Sequence, residues 1–145
     1  MRLWHKDLIH VLPCKQLVGQ WRECCCIAKS IKEKGTPNHI LVNRIMEYPI
    51  SDFCDYCNIV LKEMMERGYH VSSKSIDNLE NNVDFRVDSE LNFDIFDNWH
   101  NNRYFRQCFY NLQEKYDAHG IEECEWDKIC DYIYKNGYTK VVWTW

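Results

Sequence analysis

Residues 13–35, PCKQLVGQWRECCCIAKSIKEKG, decide the fold class because they contain a complete helix signal. Pro13 suits a first helical position, and Gly35 suits the residue that ends a helix. Between them, apolar residues recur at three- and four-residue intervals, which predicts an amphipathic helix with one side in the core. The predicted core side consists of Leu17, Trp21, Cys24, Ala28 and Ile31.

Three further segments repeat this pattern and end near a glycine. They run over residues 51–67, 99–118 and 122–135, and the glycines are Gly68, Gly120 and Gly137. The predicted core residues are Phe53, Cys57, Val60, Leu61 and Met64, then Tyr104 or Phe105, Cys108, Leu112 and Tyr116, then Trp126, Ile129, Cys130 and Ile133. The periodicity therefore predicts an all-α fold, a single compact domain of about four helices.

The remaining segments are predicted to be irregular or short. Residues 36–49 contain two prolines and are expected to form a connector with a short helix near residues 41–46. Residues 71–98 are polar, acidic and weakly periodic, which predicts a long loop or insertion. The aromatic tail, residues 138–145, is expected to pack back on the domain as an extended segment.

The composition is globular and excludes several classes of function. The 145 residues are 46% hydrophobic and carry a formal net charge of −4, so there is no globally basic surface and any polyanion site must be local. No apolar run reaches the roughly 18 residues of a membrane span. The chain does not open with a secretory signal pattern. We therefore expect a cytoplasmic protein without membrane association.

The nine cysteines allow two interpretations. Cys54 and Cys57 form a CxxC pair, which together with the run Cys24–Cys26 and His39 offers ligands for zinc. Both cysteine sets lie in predicted helices, and the sequence holds no second CxxC, which favours reduced thiols that pack as small core residues. We therefore expect neither a metal nor a cofactor.

A polar stripe adjoins the core side of the first helix. It contains Gln16, Gly19, Gln20, Glu23 and Cys26. If the chain terminus folds back onto this stripe, an α-amine meets the Glu23 carboxylate, and such a pair supports Schiff-base chemistry on an aldehyde-like carbon. Unperturbed α-amines have a pKa of about 7.7–8.0, so a neutral fraction exists near pH 7. By themselves Arg22 and Glu23 are more typical of a solvated helix surface. His5 is near enough in sequence to assist proton transfer, but a packing role is favoured.

The opening of the chain resembles the pyrimidine-dimer DNA glycosylases, the phage endonuclease V family. In that family a short N-terminal segment precedes a long helix with an aromatic-Arg-Glu sequence, which here is Trp21-Arg22-Glu23. The stretch LKEMMERGYHV, residues 61–71, is similar to the family's helix that closes with a Lys/Arg-Arg-Gly-aromatic turn. The stretches GQWRECC (19–25), HNNRY (100–104) and NLQEKY (111–116) are still more similar to a bacterial branch of the family.

The resemblance implies that residues 1–145 form one endonuclease V-like helical domain with glycosylase and abasic-site lyase activity. The nucleophile is then the α-amine of Met1, because Arg2 is too large for ordinary removal of Met1. Glu23 is the catalytic carboxylate, which stabilises the cationic sugar and assists loss of the C2′ proton before β-elimination. The implied partner is double-stranded DNA with a damaged base or an abasic site, bound by a monomer.

The DNA contacts rest on the resemblance and on residue type. The candidate DNA-binding residues are Arg2, Arg22, Gln16, Gln20, His39, Arg103 and Arg106. Arg103 and Arg106 lie one turn apart on the third predicted helix, with Lys115 further along it, and suit phosphate contacts as well as a plain solvated surface. Lys32 and its neighbours fit the C-terminal end of a helix dipole better.

Two other interpretations stay open. A non-catalytic helical module that binds DNA or protein is favoured by the net acidity and by Arg2, which stands where the phage enzymes expose a small polar residue. A small zinc or redox protein built on the cysteines is the third interpretation. Covalent trapping on abasic-site DNA separates the first two, and the metal content of the purified protein tests the third.

Overall fold

Helices form all the regular secondary structure in residues 1–143, the part of the chain that the computed structural model describes. The α-helices are α1 (Cys14–Lys34), α2 (Ile50–Glu66), α3 (Ser73–Val83), α4 (Asn102–Asp117), α5 (Glu123–Lys135) and α6 (Thr139–Trp143). Two 3-10 helices, Lys6–Val11 and Asn43–Glu47, lie in the N-terminal segment and in the connector. The predicted all-α fold is confirmed, and the four predicted helices correspond to α1, α2, α4 and α5.

Helix α1 begins one residue later than the sequence predicts and ends where it predicts. Pro13 directly precedes the first helical residue, and Gly35 ends the helix at φ 74°, a left-handed conformation that glycine adopts without strain. The Gly35 N–H donates to the Ile31 carbonyl at 2.8 Å and so closes the last turn. The predicted core residues Leu17, Trp21, Cys24 and Ala28 are buried, and Ile31 packs against the core while partly exposed.

Both α2 and α3 pack against α1, around one continuous hydrophobic core. Trp21 Nε1 donates to Ser75 Oγ at 3.2 Å, and near the other end of α1 Lys32 Nζ donates to the Asn81 carbonyl at 3.0 Å. Five phenylalanines are fully buried: Phe53, Phe85, Phe96, Phe105 and Phe109. Burial of each such side chain contributes roughly 1.5–3 kcal/mol, so these rings are a main source of stability.

The first part of the segment 71–98 is helical, which corrects the expectation of a loop over its whole length. Helix α3 begins after Ser72, whose Oγ accepts the Ser75 N–H at 3.2 Å. Its apolar residues, Ile76, Leu79 and Val83, do stand at helical spacing, and Leu79 and Val83 are buried; the polar and acidic residues around them obscured this pattern. Residues 84–98 are irregular as predicted, but they are anchored in the core by Phe85, Ile95 and Phe96.

The tail is helical rather than extended over its described residues. Helix α6 covers Thr139–Trp143, and Val142 is buried. The Tyr110 hydroxyl of α4 donates to the Val142 carbonyl at 2.8 Å, and Phe105 stacks on Tyr138 with ring centroids 3.8 Å apart. The prediction for residues 144 and 145 falls outside the described residues.

Residues 1–5 have no regular secondary structure, yet most of them are buried. Leu3 is 0% exposed, and Trp4 and His5 are nearly as buried, whereas Met1 is 44% exposed. The segment is held by side chains of α1, α2 and α4. This arrangement places the terminus of the chain against the middle of α1.

The buried cysteines pack as small residues of the hydrophobic core. Cys24, Cys57 and Cys108 are buried, and burial raises the pKa of Cys57 well above its usual value and that of Cys25 to about 12. Within residues 1–143 we find no group of three or more His, Cys, Asp or Glu side chains arranged to hold a metal. In the same residues, none of the helices combines the length and the hydropathy that a bilayer crossing requires.

Candidate active site at the chain terminus

The Gln20 side chain fixes the N-terminal segment on α1. Its Oε1 accepts the Trp4 N–H at 2.8 Å, and its Nε2 donates to the Arg2 carbonyl at 3.1 Å. Gln20 is only 1% exposed. The amide is therefore buried and bound to the backbone of the terminus, and the DNA contact of Gln20 stays a prediction.

Glu23 lies nearly one helical turn beyond Gln20 and faces the same segment. Its Oε2 accepts the Arg2 N–H at 3.4 Å. In the described part of the chain no ion pair joins the Met1 amine to a carboxylate. The amine belongs to the residue next to the Glu23 contact, and Met1 as a whole is 44% exposed.

A cleft of about 270 Å³ opens beside the terminus. It is lined by Met1, Arg2, Trp4, Lys15, Gln16, Gly19, Gln20, Glu23, Asn111 and Lys115. A Cβ placed on Gly19 would meet no atom within 4 Å, so the cleft wall is open at this position. The cleft brings together Met1 and Glu23, the two residues predicted to be catalytic.

The charges in the cleft make it locally basic although the chain is acidic overall. Lys15 of α1 and Lys115 of α4 both line it, and Arg2 adds a third cation, against the single carboxylate of Glu23. Phosphate groups are attracted to such a local patch, whose effect is strongest within about 10 Å at moderate salt. The cleft therefore combines the Glu23 carboxylate and the Met1 amine with a basic lining that favours an anionic substrate.

An acidic surface adjoins the cleft on one side. A larger cavity of about 920 Å³ shares Lys15 and Gln16 with the cleft, and it is otherwise lined by the end of α4 and the start of α5, including Asp117, Glu122, Glu123 and Glu125. Glu125 Oε2 accepts the Cys14 N–H at 2.7 Å and so caps the start of α1. This acidic surface repels phosphates, so it disfavours a path of a polyanion over this side of the cleft.

Besides Gln20, three predicted DNA contacts lie in or next to the cleft, namely Arg2, Gln16 and Arg22. The Arg2 guanidinium lies 5.2 Å from the Trp4 ring centroid, and its Nη1 is 3.9 Å from Cys108 Sγ, so its orientation is fixed. Gln16 lines the cleft, and its Oε1 is buried without a hydrogen-bond partner among the described residues. Arg22 is exposed on α1, adjacent in sequence to Glu23.

The other three predicted DNA contacts lie outside the cleft lining. His39 belongs to the connector, where its Nδ1 accepts the Leu41 N–H at 3.2 Å and its own N–H donates to Asn43 Oδ1 at 2.9 Å. Arg103 is exposed and Arg106 is partly buried on α4. Neither arginine lines the cleft beside Glu23.

Sequence reasoning missed Lys15 and Asn111 as cleft residues. A signal for Lys15 exists, since Lys15, Gly19 and Glu23 are spaced four residues apart and form one row on α1. Asn111 and Lys115 have the same spacing on α4. That the two rows face each other across the terminus depends on tertiary packing, which the spacing does not contain.

His5 and His100 form a buried pair beneath the N-terminal segment. Their rings stack with centroids 5.1 Å apart, and the His100 Nδ1 accepts the Lys6 N–H at 3.0 Å. Burial lowers the pKa of His5 to about 4 and that of His100 well below its usual value. Both rings are neutral at pH 7, and the expected packing role of His5 fits this arrangement.

This pair predicts a loss of stability in mild acid. The unfolded histidines have a pKa near 6.5, above the folded values, so the unfolded state takes up protons first as the pH falls below about 6.5. We expect the free energy of unfolding to fall by up to about 1.4 kcal/mol per pH unit for each histidine between pH 6.5 and 5. Urea denaturation at these pH values measures it.

The exposed His119 offers a matched control for this prediction. It has a left-handed φ of 64°, which asparagine also tolerates, so His119→Asn should keep the full pH dependence. His5→Phe should reduce the dependence, because it removes one of the three histidines whose folded pKa is lowered by burial, His5, His10 and His100. A free energy of unfolding that stays constant from pH 7 to 5 would contradict the assignment.

Comparison with known proteins adds one finding. The sequence model of the family described as pyrimidine dimer DNA glycosylase matches residues 1–77, which is more than half of the 145 residues. No curated protein and no solved structure matches the chain. The matched region contains the terminus, Glu23 and all of α1 and α2.

Proposed function

We propose that this chain, which belongs to the pyrimidine dimer DNA glycosylase family, excises a damaged pyrimidine from double-stranded DNA and then cleaves the strand at the abasic site. The observation that carries the proposal is the N-terminal segment held on α1 at the edge of a basic cleft, where the Arg2 backbone nitrogen lies 3.4 Å from Glu23 Oε2. Ultraviolet-induced pyrimidine dimers are the substrate class that the family suggests.

The chemistry begins with the neutral Met1 amine. Its nitrogen attacks C1′ of the damaged nucleotide, the C1′–base bond breaks, and the base leaves with the bonding electrons and then takes a proton. The Glu23 carboxylate, which lies near the amine, stabilises the positive charge that develops on the sugar. Loss of a proton from the nitrogen and opening of the sugar ring then give an imine between Met1 and C1′.

Strand cleavage follows from the imine, which acidifies the C2′ proton. Glu23 removes this proton, and the electron pair expels the 3′ phosphate in a β-elimination. Water then hydrolyses the imine and releases the terminus. Each step uses only the amine, the carboxylate and water.

The basic residues of the cleft are proposed to hold the DNA backbone. Lys15 of α1 and Lys115 of α4 line the cleft with Glu23, and the exposed Arg22 and Arg103 on the same two helices are further candidates for backbone contacts. Phosphate contacts of this kind position the duplex without reading its sequence. Arg106 and His39 are further candidates for contacts away from the reacting nucleotide.

The proposal is tested with a duplex that contains one abasic site and with plasmid irradiated by ultraviolet light. We expect strand cleavage at the abasic site with a β-elimination product, and nicking of irradiated but not of untreated plasmid. A non-catalytic DNA-binding module, which the net charge of −4 and the acidic surface favour, would bind DNA without cleaving either substrate. That result would overturn the proposed function.

The two lysines of the cleft should control affinity and its salt dependence. We expect Lys15→Gln or Lys115→Gln to weaken binding to abasic-site duplex and to lower the slope of log K against log salt by about one, because one phosphate contact is lost. Fluorescence anisotropy over a salt series measures both quantities. Lys128→Gln, on the exposed side of α5, is the control and should change neither. An unchanged slope in both cleft variants would exclude them as phosphate contacts.

A further inference from the structure

Three consecutive backbone carbonyls next to the terminus are held by side chains from three different helices. The Arg2 carbonyl accepts from Gln20 Nε2 of α1 at 3.1 Å. The Leu3 carbonyl accepts from the Tyr104 hydroxyl of α4 at 2.5 Å, and the Trp4 carbonyl accepts from the Tyr56 hydroxyl of α2 at 2.6 Å. Side chains therefore supply the hydrogen bonds that neighbouring strands supply in a sheet.

Hydrogen bonds to side chains hold the N–H groups of this segment as well as its carbonyls. The N–H groups of Arg2, Trp4 and Lys6 are held as well, by Glu23, Gln20 and His100 respectively. A chain end normally frays, because few contacts offset the entropy lost on ordering it. Here the backbone is fixed up to the residue next to Met1, so the remaining freedom of the amine is small.

We infer that Tyr104 is a positioning residue, whose hydroxyl fixes the Leu3 carbonyl and thereby directs the terminal amine toward the reacting sugar carbon. Gln20 and Tyr56 hold the neighbouring carbonyls in the same way. This inference rests on the proposed function, since it assumes that the amine is the nucleophile. A bound geometry close to that of the attack supplies much of the rate of such a reaction, and a shift of about 1 Å can cost a hundredfold.

Tyr104 is suited to this role by its place between α4 and the terminus. Its ring lies 5.9 Å from that of Trp99 and 4.9 Å from that of His100, which restricts its rotation. Burial raises the pKa of Tyr104 above its usual value, so the hydroxyl stays protonated and can donate throughout the pH range of the reaction. The side chain does not line the cleft itself, so it acts through the backbone of Leu3.

Tyr104→Phe is the test, because it removes one oxygen and leaves the ring. Tyr110→Phe is a matched control on the same helix: its hydroxyl also donates to a distant carbonyl, that of Val142 at 2.8 Å, but it ties down α6 instead of the terminus. The readouts are the rate of borohydride-trapped adduct at saturating abasic-site duplex, the Kd for that duplex, and the thermal midpoint.

We expect Tyr104→Phe to slow adduct formation about ten- to hundredfold with an unchanged Kd, and Tyr110→Phe to leave the rate unchanged although it loses a comparable hydrogen bond. Tyr56→Phe, which frees the Trp4 carbonyl, is a second variant and should lower the same rate. Equal rates for the wild type, Tyr104→Phe and Tyr56→Phe would overturn the positioning role alone. Absence of any adduct in the wild type would overturn the proposed function, and the positioning role with it.

Discussion

Glu23→Gln is expected to abolish strand cleavage at an abasic site while leaving the fold and the affinity for DNA intact. The amide is nearly isosteric with the carboxylate, and its oxygen can still accept the Arg2 N–H that now lies 3.4 Å from Oε2. It carries no negative charge for the cationic sugar and cannot remove the C2′ proton. Groups with such roles typically contribute about 10²–10⁴-fold in rate.

The measurement is single-turnover cleavage of an abasic-site duplex at saturating protein, with anisotropy for the Kd. Glu33→Gln is the control, since Glu33 is an exposed carboxylate near the end of the same helix and changes the net charge equally. Cleavage by Glu23→Gln at a rate similar to that of Glu33→Gln would remove Glu23 from the mechanism. A parallel loss of affinity would instead assign Glu23 to binding.

Blocking the terminal amine is expected to have an effect as large as loss of Glu23. A short extension placed before Met1 replaces the amine by an amide, which cannot form an imine, and its bulk also occupies the mouth of the cleft. We expect no trapped adduct with the extended protein. Removal of the extension by a protease that cleaves directly before Met1 should restore adduct formation.

The main alternative to Met1 as the nucleophile is a lysine of the same cleft. Lys15 and Lys115 are amines that line the same cleft, and a lysine with a lowered pKa also forms imines. If Met1 is the nucleophile, Lys15→Gln and Lys115→Gln should still form the adduct when DNA is saturating. An extended protein that still traps on DNA, together with loss of trapping in one lysine variant, would transfer the role of nucleophile to that lysine.

The helices that carry the core were predictable because their apolar residues recur at helical spacing between good start and stop residues, as in α1 between Pro13 and Gly35. Helix α3 was not predicted, because the polar and acidic composition of residues 71–98 outweighed a short signal, the helical spacing of Ile76, Leu79 and Val83 after Ser72. With only three apolar residues, its stability comes mainly from packing on α1.

In the candidate site, too, some residues could be predicted from the sequence and others depend on tertiary contacts. Glu23 could be found because it lies on a polar stripe of α1 and because the neighbouring sequence resembles a known family. Gln20 lies on the same stripe, but the structure shows that it is buried and bound to the terminus. Gln20 binds the backbone of residues 2–4 only because this segment folds back onto α1. Tyr56 and Tyr104 bind the same segment but are distant from it in sequence, so no spacing rule predicts their contacts.

The central claim, that the chain terminus is the nucleophile, is tested most directly by mapping the adduct. The wild-type protein is incubated with abasic-site duplex and borohydride, digested, and analysed by mass spectrometry for the peptide that carries the reduced sugar. The account predicts that the mass is added to the α-nitrogen of Met1, which the Gln20 clamp and Glu23 hold at the cleft. An adduct on Lys15 or Lys115, or no adduct from a folded protein with a free terminus, would contradict it.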